Sequence, residues 1–146
     1  MISEIIKEKI SADHLLYVSL KYTKTCDVIL NLVARWKSMI EMSFDAILAK
    51  AVENKKILQA ESPKQKIEYI RQYFKKCPAI QEVVPVYIFF KRIPDLEKRR
   101  EGDFRKNVNL KIIELGKITE INMDKLGEYS ELLERFISEV KQLLSK

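Results

Sequence analysis

The chain has 146 residues, 47% of them hydrophobic and 33% charged, with 27 basic against 21 acidic side chains and a formal net charge of +6. That length supports one domain with a sizeable core, read here as a single unit over 1–146. All four prolines lie between Pro63 and Pro94 and all three glycines between Gly102 and Gly127, a composition that argues against β-sandwich, disordered and collagen-like chains and leaves no Gly-rich phosphate loop.

Ile2, Ile6 and Ile10 form a short amphipathic segment, and Ser11 is placed to N-cap the long helix after it. From Leu15 the apolar positions advance through Val18, Tyr22, Cys26, Ile29, Val33, Trp36, Ile40, Phe44 and Ile47 to Ala51, at an average step of about 3.6. This periodicity predicts one helix over 12–54, about 65 Å long. A compact domain of this size has a radius of gyration of about 15 Å. The helix therefore either projects and packs against a second copy, giving a homodimer, or kinks in the polar stretch Thr23-Lys24-Thr25. Dimerisation is the preferred reading, because a protruding apolar stripe left in water would aggregate.

Ser62-Pro63-Lys64-Gln65 reads as a capping box with proline at the first helical position. Ile67, Ile70 and Phe74 form the apolar face of that helix, which Cys77-Pro78 ends. The run Val83 to Phe90 is apolar on all sides and therefore buried, with Pro85 as the start of a short helix. Leu96, Phe104, Val108, Ile112 and Leu115 fall at helical spacing, closed by Gly116. The rival reading makes Val108, Leu110 and Ile112 an alternating strand with Gly116 in a hairpin turn to Ile118. Asn122, between Ile121 and Leu126, N-caps a last helix carrying Tyr129, Leu133, Phe136 and Val140 on one face. The predicted fold is all-α: an elongated bundle of up-down helices built on one long N-terminal helix.

The apolar run around Pro85 is far short of the roughly 20 residues a membrane span needs. The N-terminus lacks the basic region and cleavage site of a signal peptide, so a cytoplasmic protein with no membrane contact is expected. Cys26 and Cys77 stand 51 positions apart and His14 is the only histidine, so both thiols are read as buried core residues and no metal or cofactor is predicted. No hydrolase or metalloprotease motif is present.

Charge is the feature most informative about function. Residues 1–54 carry seven basic and seven acidic groups, residues 55–111 fifteen and seven, and residues 112–146 five and seven. The basic middle predicts binding to RNA or DNA through phosphate contacts from Lys64, Lys66, Arg71, Lys75, Lys76, Arg99, Arg100 and Arg105. Tyr87, Phe89 and Phe90 are near enough in sequence to stack a base. A solvated helix face, or a scaffold whose basic residues are scattered over several faces, is the alternative.

The stretch His14-Leu15-Leu16-Tyr17-Val18-Ser19-Leu20-Lys21-Tyr22, the basic element Arg99-Arg100-Glu101-Gly102-Asp103-Phe104-Arg105-Lys106-Asn107 and the amphipathic last helix resemble the HEPN superfamily of small prokaryotic helical-bundle proteins. Active members are dimeric ribonucleases with an Arg followed four to six residues later by His. The resemblance implies a dimeric bundle with a basic groove. If nuclease activity is kept, Arg100, Asn107 and His14 would share that groove. Asn107 stands at about the place of the family histidine, a departure that leaves the non-catalytic binding protein as the preferred reading.

Overall fold

The computed structural model describes residues 2–146. It is mostly helical and carries one small antiparallel sheet, so the all-α expectation is corrected to a helical bundle with a three-stranded appendage.

The long N-terminal helix is two helices. α1 (Ile2–His14) continues through a π-helical stretch, Leu15–Ser19, into a last turn, α2 (Leu20–Tyr22). The chain leaves helical geometry at Thr23 and re-enters it in α3 (Cys26–Glu53). Thr25 is the reason for the restart: its backbone is extended, and its Oγ1 accepts the Val28 N–H at 3.3 Å as an N-cap. Ser11, the N-cap expected from sequence, lies inside α1. The two helices then fold back on each other, and Glu8 of α1 pairs with Arg35 of α3 at 3.2 Å. In α1 the buried positions run from Ile5 to Ala12, seven residues, and then to Leu20, eight residues. The wider turn of the π stretch supplies the extra residue that keeps one face on α3. That face packs on α3 from within the chain, so the part of the predicted stripe from Cys26 to Ala51 is buried without a second copy, while Val18 and Tyr22 are exposed.

α4 (Pro63–Tyr73) starts as the sequence indicates. Ser62 Oγ accepts the Gln65 N–H at 3.1 Å, and Gln65 Oε1 reaches back to the Glu61 N–H at 2.7 Å. α5 (Pro78–Arg92) begins at Pro78, not Pro85, which sits mid-helix on the solvent side. There its missing N–H leaves the Gln81 carbonyl to water instead of to the core. Tyr87 and Phe90, expected to be available for stacking, are buried, and Phe89 is half-buried. Phe90 lies parallel to Trp36 of α3, ring centres 6.2 Å apart, and meets Tyr129 edge-on at 5.0 Å. A second cluster, Phe44 with Tyr87 and Phe136, continues the core along α3. Burial pushes the Tyr129 hydroxyl up to about 12, with Glu128 adding to it.

The expected helix over 95–115 is instead β1 (Glu97–Glu101), β2 (Asn109–Glu114) and β3 (Lys117–Asn122), in the order β1-β2-β3 with both pairings antiparallel. The hairpin reading of Gly116 is the one the structure adopts. Leu115 and Gly116, at φ +50 and +78, form the two-residue turn, the positive-φ pair that matches strand twist. Leu110, Ile112 and Ile121 are buried on the inner face. β1 reads Glu-Lys-Arg-Arg-Glu, and its charges keep an edge strand from pairing with other chains. α6 (Met123–Leu144) comes next, N-capped by Asn122, whose Oδ1 accepts the Lys125 N–H at 2.9 Å.

Candidate nucleic-acid interface

The structure distributes seven of the eight predicted phosphate-binding residues over three places along α3. Arg99, Arg100 and Arg105 belong to β1 and the β1–β2 loop, beside the N-terminal end of α3. Lys64 and Lys66 line a groove with Glu41, Asp45, Lys91 and Arg92, about 27 Å further along α3 at 1.5 Å per residue. Lys75 and Lys76 line a cleft at the far end, formed with the last turns of α3 and α6. Arg71 is exposed on α4.

Several of these cations are already occupied. Arg100 Nη2 lies 2.6 Å from Asp27 and Lys66 Nζ 2.9 Å from Asp45. Arg92, in the same groove as Lys64 and Lys66, pairs with Glu114. Hydrogen bonding and charge from Arg100 hold Asp27 below the usual carboxylate range, and Asp27 in turn raises Arg100. The contribution of that pair is complete above the ordinary carboxylate pKa and is lost as the pH falls through the depressed value of Asp27. Strand alternation turns Arg99 to the opposite face, between Glu97 and Glu101 of its own strand. Lys111, directly across from Arg99, is 3.0 Å from Glu101. The outer face of the sheet is therefore mixed in charge, not basic.

No hydrogen bond or ion pair joins the three residues named for a nuclease among the described residues. Arg100 is held by Asp27. Asn107 packs against Gly102, where a Cβ would meet Asn107 Oδ1 at 2.9 Å. His14 is exposed on α1, about 12 Å along the helix axis from Tyr22. Neither thiol offers a nucleophile in its place. Cys26 is buried, and burial, with Asp103 beside it, pushes its thiol up to about 11. Cys77 is half-buried, not buried as expected, and its thiol is raised by burial and by Glu139.

The β1–β2 loop builds a different surface against the α2–α3 bend. Asp103 Oδ1 accepts the Cys26 N–H at 2.9 Å, serving α3 as a remote cap, and the Phe104 N–H donates to Lys24 O at 2.6 Å. The loop closes on itself through the Arg105 N–H to Gly102 O bond, 2.9 Å. These bonds hold Phe104 at φ +68 with its ring 76% exposed. Left-handed backbone is costly for a residue with a Cβ, and a strained residue is retained only where its surroundings over-determine it. Two residues before the Lys24 carbonyl stands Tyr22, 78% exposed, with Lys21 Nζ 5.9 Å from its ring centre. Lys21, Lys24, Arg105 and Lys106 each stand within two residues of Tyr22 or Phe104 in the chain and have no ion-pair partner among the described residues; Lys24 Nζ donates to the Lys21 carbonyl at 2.8 Å. The nearby acids are committed: Asp27 to Arg100, Glu101 to Lys111, and Asp103 to the end of α3.

Sequence reasoning missed Phe104 and Tyr22 because both fit a helical count of apolar positions. The pair Gly102-Asp103 immediately before Phe104 is the turn signal that marked the loop.

Among the described residues, no group of side chains could hold a metal ion and no helix is long and apolar enough to cross a membrane. Comparison with protein-family models, with curated proteins and with solved structures finds no match.

Proposed function

We propose that this protein binds single-stranded nucleic acid, without catalysis, on the surface formed by Tyr22 and Phe104 with Lys21, Lys24, Arg105 and Lys106. The observation that carries the reading is Phe104: a large apolar ring held in water, in strained backbone, among unpaired cations. Exposed aromatic rings stack bases of any sequence and surrounding cations contact phosphates, the combination that single strands require. A duplex offers neither unstacked bases nor their faces, so the preference is for single strands. Of the residues named from sequence, Arg105 belongs to this surface, Arg99 and Arg100 flank it, and Lys64, Lys66, Arg71, Lys75 and Lys76 lie away from it.

Fluorescence anisotropy with a labelled single-stranded RNA and with the matching duplex tests the proposal. The single strand should bind more tightly, and its affinity should fall steeply with salt as counterions are released. Tyr22→Ala should weaken single-strand binding by about 5- to 150-fold, the loss of one stacking contact. Equal affinity for the duplex, or full affinity in the variant, overturns the platform.

Pairing of two copies is a separate proposal with its own observation. Ile10, Tyr17 and Val18, 62%, 62% and 41% exposed, continue an apolar line up the outer face of α1 and its π stretch. A second copy laid along that line would cover it. Sedimentation at rising concentration should then show a dimer that Tyr17→Lys returns to monomer, and a monomer at every concentration removes the pairing.

A further inference from the structure

We propose that the cleft between the α4–α5 turn and the last turns of α3 and α6 binds a nucleotide, held by its phosphates. The cleft encloses about 800 Å³, within the range of small-molecule sites. Lys50, Lys56, Lys75 and Lys76 stand in its walls, and Glu139 contributes the single carboxylate side chain. That carboxylate does not neutralise them. Its two oxygens accept the Ala79 and Ile80 N–H groups at 3.1 and 3.0 Å, so its charge is balanced by the N-terminal end of α5. Lys50 is committed as well, donating to the carbonyl oxygens of Leu144 and Lys146 where α6 ends.

Lys56, Lys75 and Lys76 have no ion-pair partner among the described residues, and Lys146 lines the cleft as well. Like charges that line one concavity repel one another, and a multiply charged anion among them relieves that repulsion. The lining also has polar residues, Asn54, Gln72 and Gln142, and an apolar part. Ile47, Ala51, Phe74 and Leu143 form its floor, and the Tyr73 ring, 46% exposed, stands at its edge. A ligand that suits both halves joins an aromatic base to a chain of phosphates, which is the chemistry of a nucleoside di- or triphosphate. Cys77, also in the wall, has its thiol raised by burial and by Glu139, so the site is assigned binding and no covalent step. The cleft lies at the opposite end of α3 from Tyr22 and Phe104 and does not depend on strand binding there.

Isothermal titration of the whole protein with ATP, adenosine and pyrophosphate tests it. ATP should bind more tightly than pyrophosphate, and adenosine should not bind. Lys75→Glu/Lys76→Glu, two exposed positions, should lower ATP affinity at least about tenfold by replacing attraction with repulsion. Lys56→Glu, on the other wall, should give a loss in the same direction, and Phe104→Gly should leave ATP affinity unchanged. Absence of ATP binding, pyrophosphate as tight as ATP, or full affinity in both lysine variants overturns the proposal. If the cleft binds ATP while a single strand fails to bind, strand recognition alone is refuted.

Discussion

Phe90→Ala should cost about 3–5 kcal/mol of stability, the usual penalty for emptying a large aromatic site in a packed core. Phe90 is 1% exposed and sits where α3, α5 and α6 meet, parallel to Trp36 and edge-on to Tyr129. The ring contributes apolar area and two oriented aromatic contacts, and neither neighbour is free to fill its place. Against a total stability of about 5–15 kcal/mol for a domain of this size, the loss is about a fifth or more. Urea denaturation should show a lower midpoint with an unchanged slope. A loss below about 1 kcal/mol would mean that this cluster is not the centre of the core. The same variant separates the two roles that sequence allows an aromatic residue of this segment, since a base-stacking Phe90 would change binding and spare the fold.

Phe104→Gly should do the reverse: raise stability and remove function. Relief of left-handed strain is worth about 1–2 kcal/mol for a residue with a Cβ, offset by about 0.5–1 kcal/mol for the extra freedom of glycine in the unfolded chain. With the ring largely in water, little packing is lost, and the net gain is about 0.5–1 kcal/mol. Single-strand affinity should fall by about 5- to 150-fold, the stacking energy of one base on one ring. Gly102→Ala gives the matching control from the other side of the loop. At φ +68, with Asn107 Oδ1 and O only 2.9 and 3.0 Å from the new Cβ, it should lose about 1–3 kcal/mol and strand affinity together, because the loop that presents Phe104 is displaced. Thermal melts and anisotropy on both variants check the pair. A Phe104→Gly protein that is less stable, or that binds normally, contradicts the account of why phenylalanine occupies that position.

Local signals were legible wherever the deciding contacts lie within a few residues. Ser62, Pro63 and Gln65 mark the start of α4, and Asn122 that of α6, because an N-cap is a bond between near neighbours. The stripe from Cys26 to Ala51 is the buried face of α3. The bend before it was hidden because a three-residue break keeps the apolar count in step, so Val18 and Tyr22 match the periodicity while pointing to solvent. β1 gave no alternating pattern, since an edge strand of five charged residues has no buried face to announce. The basic middle was legible as composition but not as a surface. Which cations are free depends on partners such as Asp27 and Asp45, distant in sequence, and on a strand that turns Arg99 and Arg100 to opposite sides. Exposure was misjudged for the same reason: Phe90 and Phe104 differ in environment through packing that no local window contains.

The bond between the Cys26 N–H and Asp103 spans 77 residues, and its neighbour from Phe104 to Lys24 is as long. The pairing of α1 with α3 closes across a three-residue bend and needs no such search. Contacts of large sequence separation carry the larger loop-closure entropy and govern how slowly a chain reaches its native topology. The two rings of the surface proposed for strand binding come from the two ends of that long loop. The surface therefore has no existence in a partly assembled chain: the segments that carry Tyr22 and Phe104 meet only with the closure, through the Phe104 N–H to Lys24 O bond, that joins the first helical hairpin to the sheet.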